Sequence, residues 1–189
     1  PNFDVQAQPV PLDMVAAPFT WPGPNASTPL GTDLMGRDLA AGLVHGARVS
    51  LLVGVSSALV SLLIGIAVGA AAGFYRGPVD AVLTRITEFF QTMPAFLLAI
   101  ILVAVLKPTV GTIVFALGIT SWTSIARLVR AEFIGLRERE FVKASVALGA
   151  SDAHLILREI LPNAWTPVVV STALLVANAI LSEAGLSFL

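Results

Sequence analysis

Side chains that can form specific polar contacts are concentrated in residues 137–163, hereafter the charged segment, which lies between two long apolar runs. Apolar residues recur every three or four positions along it, which predicts short amphipathic helices. Gly149 separates its two halves, and glycine readily ends a helix at a sharp turn. Ser151 or Asp152 can then cap the next helix by accepting hydrogen bonds from its first N–H groups. We expect a helix, a turn and a second helix, with a new helix beginning at Pro162.

The charged segment can dock a partner through ion pairs and hydrogen bonds, whereas the residue patterns for catalysis do not occur in the sequence. A nucleotide-binding loop needs Gly-Lys followed by Ser or Thr, but the only lysines, Lys107 and Lys143, precede Pro and Ala. His45 and His154 are isolated and lack metal-ligand spacing. Cysteine is absent, which removes disulfides and thiolate chemistry. We expect no catalytic residue, cofactor or metal ion in this chain.

Two short motifs near the start could in principle offer oxygen ligands to calcium: Gly-Thr-Asp at residues 31–33 and Gly-Arg-Asp at residues 36–38. They lack the regular alternation of acids found in a calcium-binding loop. Thr and Asp side chains commonly satisfy exposed backbone N–H groups, so turn formation and helix capping are the favoured roles.

The composition places the chain in a membrane. It is 56% hydrophobic and only 12% charged, with a mean hydropathy of +0.87. Soluble domains carry about 25% charged residues, so we predict an integral membrane protein in contact with lipid. The net charge of −1 and the scattered cations give no basis for nucleic-acid binding.

Four apolar stretches are candidates for membrane-spanning helices, which need about 20 residues. They are residues 50–74, 86–106, 109–129 and 164–181. Gln91 and Pro94 interrupt the second, which should form a tight helical hairpin with the third. Pro167 and Asn178 in the last should face the protein interior, because their polar groups would be costly in lipid. The expected fold class is all-α, a polytopic transmembrane helix bundle.

Glycines recur every four residues in the first span, at Gly65, Gly69 and Gly73. Small residues at this spacing let two helices approach closely. We therefore assign these glycines to helix packing rather than to ligand binding.

The orientation follows from the cations, because short loops rich in Lys and Arg stay in the cytoplasm. Eight of the eleven Lys and Arg residues lie in residues 76–85 and 127–158. The other side has Arg37, Arg48 and Lys107, and the first 29 residues hold seven of the twelve prolines. This pattern predicts an external start and a cytoplasmic charged segment.

The charged segment resembles the cytoplasmic loop of ABC-importer permeases, whose pattern is Glu-Ala-Ala, three residues, Gly, nine residues, Ile-x-Leu-Pro. The spacing is retained by Lys143-Ala144-Ser145, Gly149 and Leu161-Pro162. Three positions depart from the pattern: Lys143 stands in place of the Glu, Ser145 in place of the second Ala, and Glu159 in place of the Ile. Because Lys143 replaces the acid, Glu140 or Glu138 is the candidate to make the acidic contact instead.

A second resemblance points to a subfamily. Residues 29–33 (Pro-Leu-Gly-Thr-Asp), 36–38 and 46–51 (Gly-Ala-Arg-Val-Ser-Leu) are similar to the membrane entry of dipeptide, oligopeptide and nickel permeases. This entry motif and the pattern in the charged segment occur in the right order, and the resemblance covers residues 29–189.

The resemblance implies a fold of the type I ABC-importer permease kind in a prokaryotic plasma (inner) membrane, importing peptides. It implies a homologous or identical permease partner, two ABC ATPase subunits that bind ATP and Mg, and an external substrate-binding protein. Residues 1–48 would be external, and residues 49–189 would form the permease core, with a cytoplasmic coupling loop at about 131–163. The start at Pro1 suggests a longer polypeptide with further helices at both ends. The implied ATPase-coupling residues are Glu140, Lys143, Ala144, Ser145, Gly149, Ala150, Ser151, Asp152, Leu161 and Pro162.

Several alternatives remain open on the sequence. Nickel chelates or glutathione could be the substrate of the same fold. A gradient-driven carrier or channel would place ionisable residues at mid-membrane, whereas Glu88 and Glu183 lie near span ends, where we expect them to be hydrated. A membrane scaffold without transport, or a charged segment that rests on the membrane surface as an amphipathic helix, would also fit the composition.

Overall fold

The computed structural model describes residues 30–31, 38–107 and 109–186, and every element in these ranges is a helix. The chain divides into two compact units, residues 1–52 and 53–189, with the boundary inside the first helix. The prediction of an all-α fold is confirmed. In chain order the elements are α1 (Leu39–Tyr75), α2 (Gly77–Thr92), α3 (Ala95–Leu106), α4 (Val110–Arg137), α5 (Glu140–Ala147), α6 (Asp152–His154), a π-helical turn (Leu155–Ile160) and α7 (Leu161–Leu186).

Three helical stretches among the described residues are long and apolar enough to cross a membrane: α1, α4 and the continuous path Asp152–Leu186. The second predicted span is different, because α2 and α3 are separate helices that meet at an angle of 80°. Met93 and Pro94 at the break have extended backbones. A proline removes one helical donor and disfavours helical geometry in the residue before it. Residues 86–106 are therefore a broken span.

Asp38 directly precedes helix α1, and its Oδ1 accepts a hydrogen bond from the backbone N–H of Ala40 at 2.9 Å. The predicted capping role of the Gly-Arg-Asp motif is confirmed at this residue. Residues 29 and 32–37, which carry much of the two motifs near the start, lie outside the described residues.

The glycines of the first span face α4 at close range. A Cβ atom placed on Gly65 would lie 2.6 Å from Cβ of Ile125, and one placed on Gly73 would lie 2.6 Å from Cβ of Phe133. Real Cβ atoms do not approach neighbours this closely. Only residues without a side chain allow the two helices to pack at this distance.

Two acids near span ends have different surroundings. Glu88 is exposed and pairs with Arg85 at 3.5 Å, one helical turn away. Glu183 on α7 is buried, with 8% of its surface exposed. The expectation that both acids are hydrated is therefore wrong for Glu183, because little of its surface can reach water.

One hydrophobic cluster in residues 53–189 joins helices that are distant in sequence. It includes Phe74 of α1, Phe133 of α4, Val142 of α5 and Val168 of α7. The two halves of the charged segment thus share a core with the long helices.

Candidate docking site in the charged segment

The turn at the centre of the charged segment is fixed by backbone hydrogen bonds. Gly149 has φ = +84°, and its N–H donates to the carbonyl of Val146 at 2.9 Å. The N–H of Ala150 donates to the carbonyl of Ser145 at 3.1 Å. This pair of bonds is a Schellman motif, which satisfies carbonyl groups at the end of a helix and requires a left-handed residue. The prediction that a glycine turn at Gly149 terminates the first helix is confirmed, since α5 ends at Ala147.

Ser151 begins the second half as predicted. Its Oγ accepts a hydrogen bond from the N–H of His154 at 3.4 Å, which caps the first turn of α6. Asp152 follows as an acid in that first turn, where the helix dipole favours negative charge. Both candidate capping residues therefore lie at the start of the helix, and Ser151 provides the cap.

The prediction that a new helix begins at Pro162 is confirmed to within one residue, because α7 begins at Leu161, although the helical path from Asp152 to Leu186 has no break. The hydrogen-bond pattern changes instead. The N–H of Leu161 donates to the carbonyl of Ile156, five residues earlier, at the end of the π-helical turn. Proline has no N–H to donate, so the wider turn before Pro162 lets the chain pass this position without a break.

Three apolar side chains anchor the charged segment to the long helices. Val142, Leu155 and Ile160 are 1%, 4% and 0% exposed, and all three belong to the core cluster that contains Phe133 and Val168. Burying a side chain of this size contributes about 1.5–3 kcal/mol. The segment is therefore tightly packed onto the ends of the candidate spans.

The opposite surface of the segment is accessible. Leu148, next to the turn, is 89% exposed, and Val146 and Leu157 are more than half exposed. Charged residues close to them in the sequence, such as Lys143, Asp152 and Arg158, are also exposed. Exposed apolar groups with a polar rim are typical of a surface that binds another protein.

Two polar side chains connect the halves of the segment across the turn. Ser145 Oγ donates to Glu159 Oε1 at 3.2 Å, although the residues are 14 positions apart. His154 Nε2 lies 3.5 Å from the same carboxylate oxygen. Ser145 and Glu159 are two of the three departures from the permease pattern, and sequence reasoning missed that they meet because nothing in the sequence indicates their pairing.

The two acids proposed to replace the missing carboxylate differ in their surroundings. Glu138 lies 2.9 Å from a guanidinium nitrogen of Arg76 and 3.8 Å from the ammonium group of Lys143. Glu140, in the first turn of α5, is exposed and has no ion pair within the described residues. Glu140 is therefore the acid that is available to a partner.

An ion pair that the sequence did not indicate joins α2 to α4. Arg130 donates from Nε and from a terminal nitrogen to the two carboxylate oxygens of Asp80, at 2.5 and 2.6 Å. At the end of α4, the Arg137 guanidinium lies 5.0 Å from the ring centre of Phe74 and donates to the carbonyl of that residue. Bidentate arginine contacts fix relative orientation, so they hold the helices that carry the charged segment.

The structure gathers the predicted coupling residues on one segment but exposes them unequally. Ser145, Ala150 and Leu161 are partly buried. The exposed members are Glu140, Lys143, Ala144, Gly149, Ser151, Asp152 and Pro162.

These features define a polytopic helical membrane protein: it has long apolar helices and a broken span, and its charged segment offers an accessible surface suited to a protein partner. Comparison of the sequence with known families identifies its family. The chain belongs to the family of binding-protein-dependent transport system inner membrane components, whose sequence model matches residues 61–189.

Curated relatives extend the similarity along most of the chain. It is 39% identical over 166 residues to the dipeptide transport system permease protein DppC of Bacillus subtilis (strain 168), covering 88% of this chain and 52% of the relative. It is 40% identical over 159 residues to the oligopeptide transport system permease protein OppC of the same organism, covering 84% and 52%. The di/tripeptide transport system permease protein DppC of Pseudomonas aeruginosa (strain UCBPP-PA14) is 39% identical over 178 residues, covering 94% and 59%. The chain thus spans about half the length of the curated relatives it matches.

Proposed function

We propose that this chain is part of the membrane-spanning permease subunit of an ATP-driven importer of peptides. Membership of the transport family and the similarity to dipeptide and oligopeptide permeases support the transport role and the substrate class. The chain contributes helices to the translocation pathway, and its charged segment receives an ATPase subunit on the cytoplasmic side.

The observation that carries the proposal is the shared core beneath the exposed turn. Val142 of α5 and Ile160 of the π-helical turn pack in the same cluster as Phe133 of α4 and Val168 of α7. Packed interiors are dense and transmit displacement instead of absorbing it. A partner that moves the turn therefore moves the ends of α4 and α7 with it, which is what coupling to an ATPase requires.

The orientation rests on the cations in and before the charged segment. Arg76 and Arg137 lie at helix ends, and Arg130 lies about two turns before the end of α4; they pair with acids or a carbonyl group. Retention of cations in the cytoplasm favours that side for the segment. An ATPase that uses cytoplasmic ATP must bind there.

The assembly we propose contains a homologous or identical permease, two ATPase subunits and an external binding protein. ATP and Mg bind to the ATPase subunits, which supply the energy. This chain supplies the surface, with Glu140, Leu148 and the Gly149 turn exposed, and the helices that respond. Differential contacts of the ATPases with the two conformations of the permease set the direction of the response.

The test is uptake of trialanine by the assembled complex reconstituted in lipid vesicles. We expect accumulation only with ATP, the ATPase subunits and the binding protein together. A gradient-driven carrier would use a buried ionisable group such as Glu183, and it would accumulate trialanine under an imposed ion gradient without ATP. That second result would refute the proposal.

A further inference from the structure

A second feature of residues 53–189 lies away from the charged segment, at the break between α2 and α3. Here a cavity of about 760 Å³ opens between the break, α4 and α7. Its volume is within the range of about 300–1,000 Å³ that is typical of ligand sites. The break itself supplies polar backbone, since the last carbonyl groups of α2 lack helical partners.

The polar side chains that line this cavity are all neutral. They come from three sides, with Gln91 beside the break, Ser121, Thr123 and Ser124 near the middle of α4, and Asn178 and Ser182 on α7. No charged side chain lines the cavity among the described residues. These groups can each donate and accept hydrogen bonds.

These six side chains make no hydrogen bond within the described part of the chain, whereas several other hydroxyls of the long helices do. Ser61 donates to the carbonyl of Gly118 at 2.9 Å, and Thr172 donates to the carbonyl of Val168 at 2.8 Å. Thr120 lines the cavity but also donates to a carbonyl of its own helix, that of Ala116, at 3.0 Å. Six polar side chains without such a bond therefore line one cavity.

Polar side chains inside a membrane span are costly unless they face water or a polar partner. Several unsatisfied groups around one space therefore mark a hydrated path and not a face turned to lipid. A metal ion or proton relay would need acids or histidines, and none line this cavity in the described residues. A peptide main chain carries alternating N–H donors and C=O acceptors, which neutral hydroxyl and amide groups match.

We propose that this cavity is a contact site for the main chain of a peptide in transit, an inference that rests on the proposed import function. Ser121, Ser124 and Asn178 bind the backbone amides and not the side chains of the peptide. Because the site is neutral, it accepts peptides of either charge. Any selection by charge must occur elsewhere in the transporter.

The chain contains no cysteine, so a single introduced thiol reports on one position. In the assembled transporter, we expect Ser124→Cys to react with a water-soluble methanethiosulfonate at least about tenfold faster than Leu174→Cys. Leu174 is the control because it is exposed on α7 outside the cavity and should face lipid. An excess of trialanine should slow labelling of Ser124→Cys severalfold. Labelling that is slow, or insensitive to the peptide, would overturn the proposal.

Transport supplies the second measurement. We expect the double variant Ser121→Ala, Ser124→Ala to reduce trialanine uptake about three- to tenfold, from the typical strength of one or two hydrogen bonds. The matched control is Thr172→Ala, whose hydroxyl is bonded to its own helix outside the cavity, and it should transport normally. Equal losses in both variants would count against the site.

A charge placed in the cavity distinguishes peptide contact from a general loss of transporter structure. With Ser124→Asp, uptake of a Glu-containing tripeptide should fall about fivefold more than uptake of the corresponding Lys tripeptide, because like charges repel in a confined space. Equal reduction of both would refute main-chain contact at this position. If the unaltered transporter imports no peptide at all, the proposed function itself fails, whereas normal import with silent cavity variants removes only this site.

Discussion

Replacing Gly149 by alanine isolates the contribution of the turn. The residue has φ = +84°, and a Cβ atom placed on it would have no neighbour within 4 Å. The substitution therefore creates no clash, and its cost comes from the backbone alone. A left-handed conformation costs an L-residue about 1–2 kcal/mol, which lowers the population of the intact turn about five- to thirtyfold relative to competing conformations.

The expected phenotype is partial uncoupling. Because Val142, Leu155 and Ile160 remain buried, the protein should still insert and assemble at normal levels. Peptide uptake per ATP hydrolysed by the reconstituted complex should fall severalfold. Gly149→Asn is the control, since asparagine tolerates positive φ better than alanine and should retain more activity. Gly149→Asp has nearly the same shape as Gly149→Asn, so any further loss reports the effect of a negative charge on docking.

Wild-type uptake and ATPase activity in the alanine and aspartate variants would refute this reasoning, because neither the turn geometry nor its charge would then matter. A loss of membrane protein in all three variants would show instead that the turn is needed for folding.

Three other predictions concern packing and polar contacts. Gly69→Ala should sharply reduce assembly, because its Cβ would lie 2.8 Å from Cβ of Val129, whereas Gly135→Ala, with open space around it, should be tolerated; the yield of folded protein in mild detergent distinguishes them. Ser145→Ala should weaken coupling about two- to tenfold by removing one hydrogen bond to Glu159; it would be contradicted by unchanged uptake per ATP. Glu140→Gln should weaken ATPase binding severalfold, measured by co-purification, because this exposed acid is unpaired within the described residues; unchanged binding would remove it from the interface.

Local sequence signals were reliable for the elements of the charged segment. Glycine followed by a serine cap predicted a turn, and the structure has Gly149 at positive φ and Ser151 at the start of the next helix. Pro162 indicated the start of α7 to within one residue, but not the π-helical turn that leads into it, because a proline signal is local, whereas that turn depends on how Ile160 and its neighbours pack.

The broken span shows a similar division. Pro94 indicated an interruption within residues 86–106, but the angle of 80° depends on how α2 and α3 each pack against α4. Asp80 and Arg130 are 50 positions apart and carry no sequence pattern that pairs them. Contacts of this kind follow from helix packing and are invisible to periodicity.

By itself the sequence determined the membrane environment, the helical class, the position of the turn and the family pattern, because these follow from composition, short-range spacing and local backbone preferences. Only the tertiary structure decided that Ser145 meets Glu159 and that Glu138 is paired while Glu140 is exposed. It also decided that unsatisfied polar groups from three helical regions surround one cavity. The physical reason is that helix packing brings distant residues together, and a side chain's hydrogen-bond partners depend on that packing more than on its sequence neighbours.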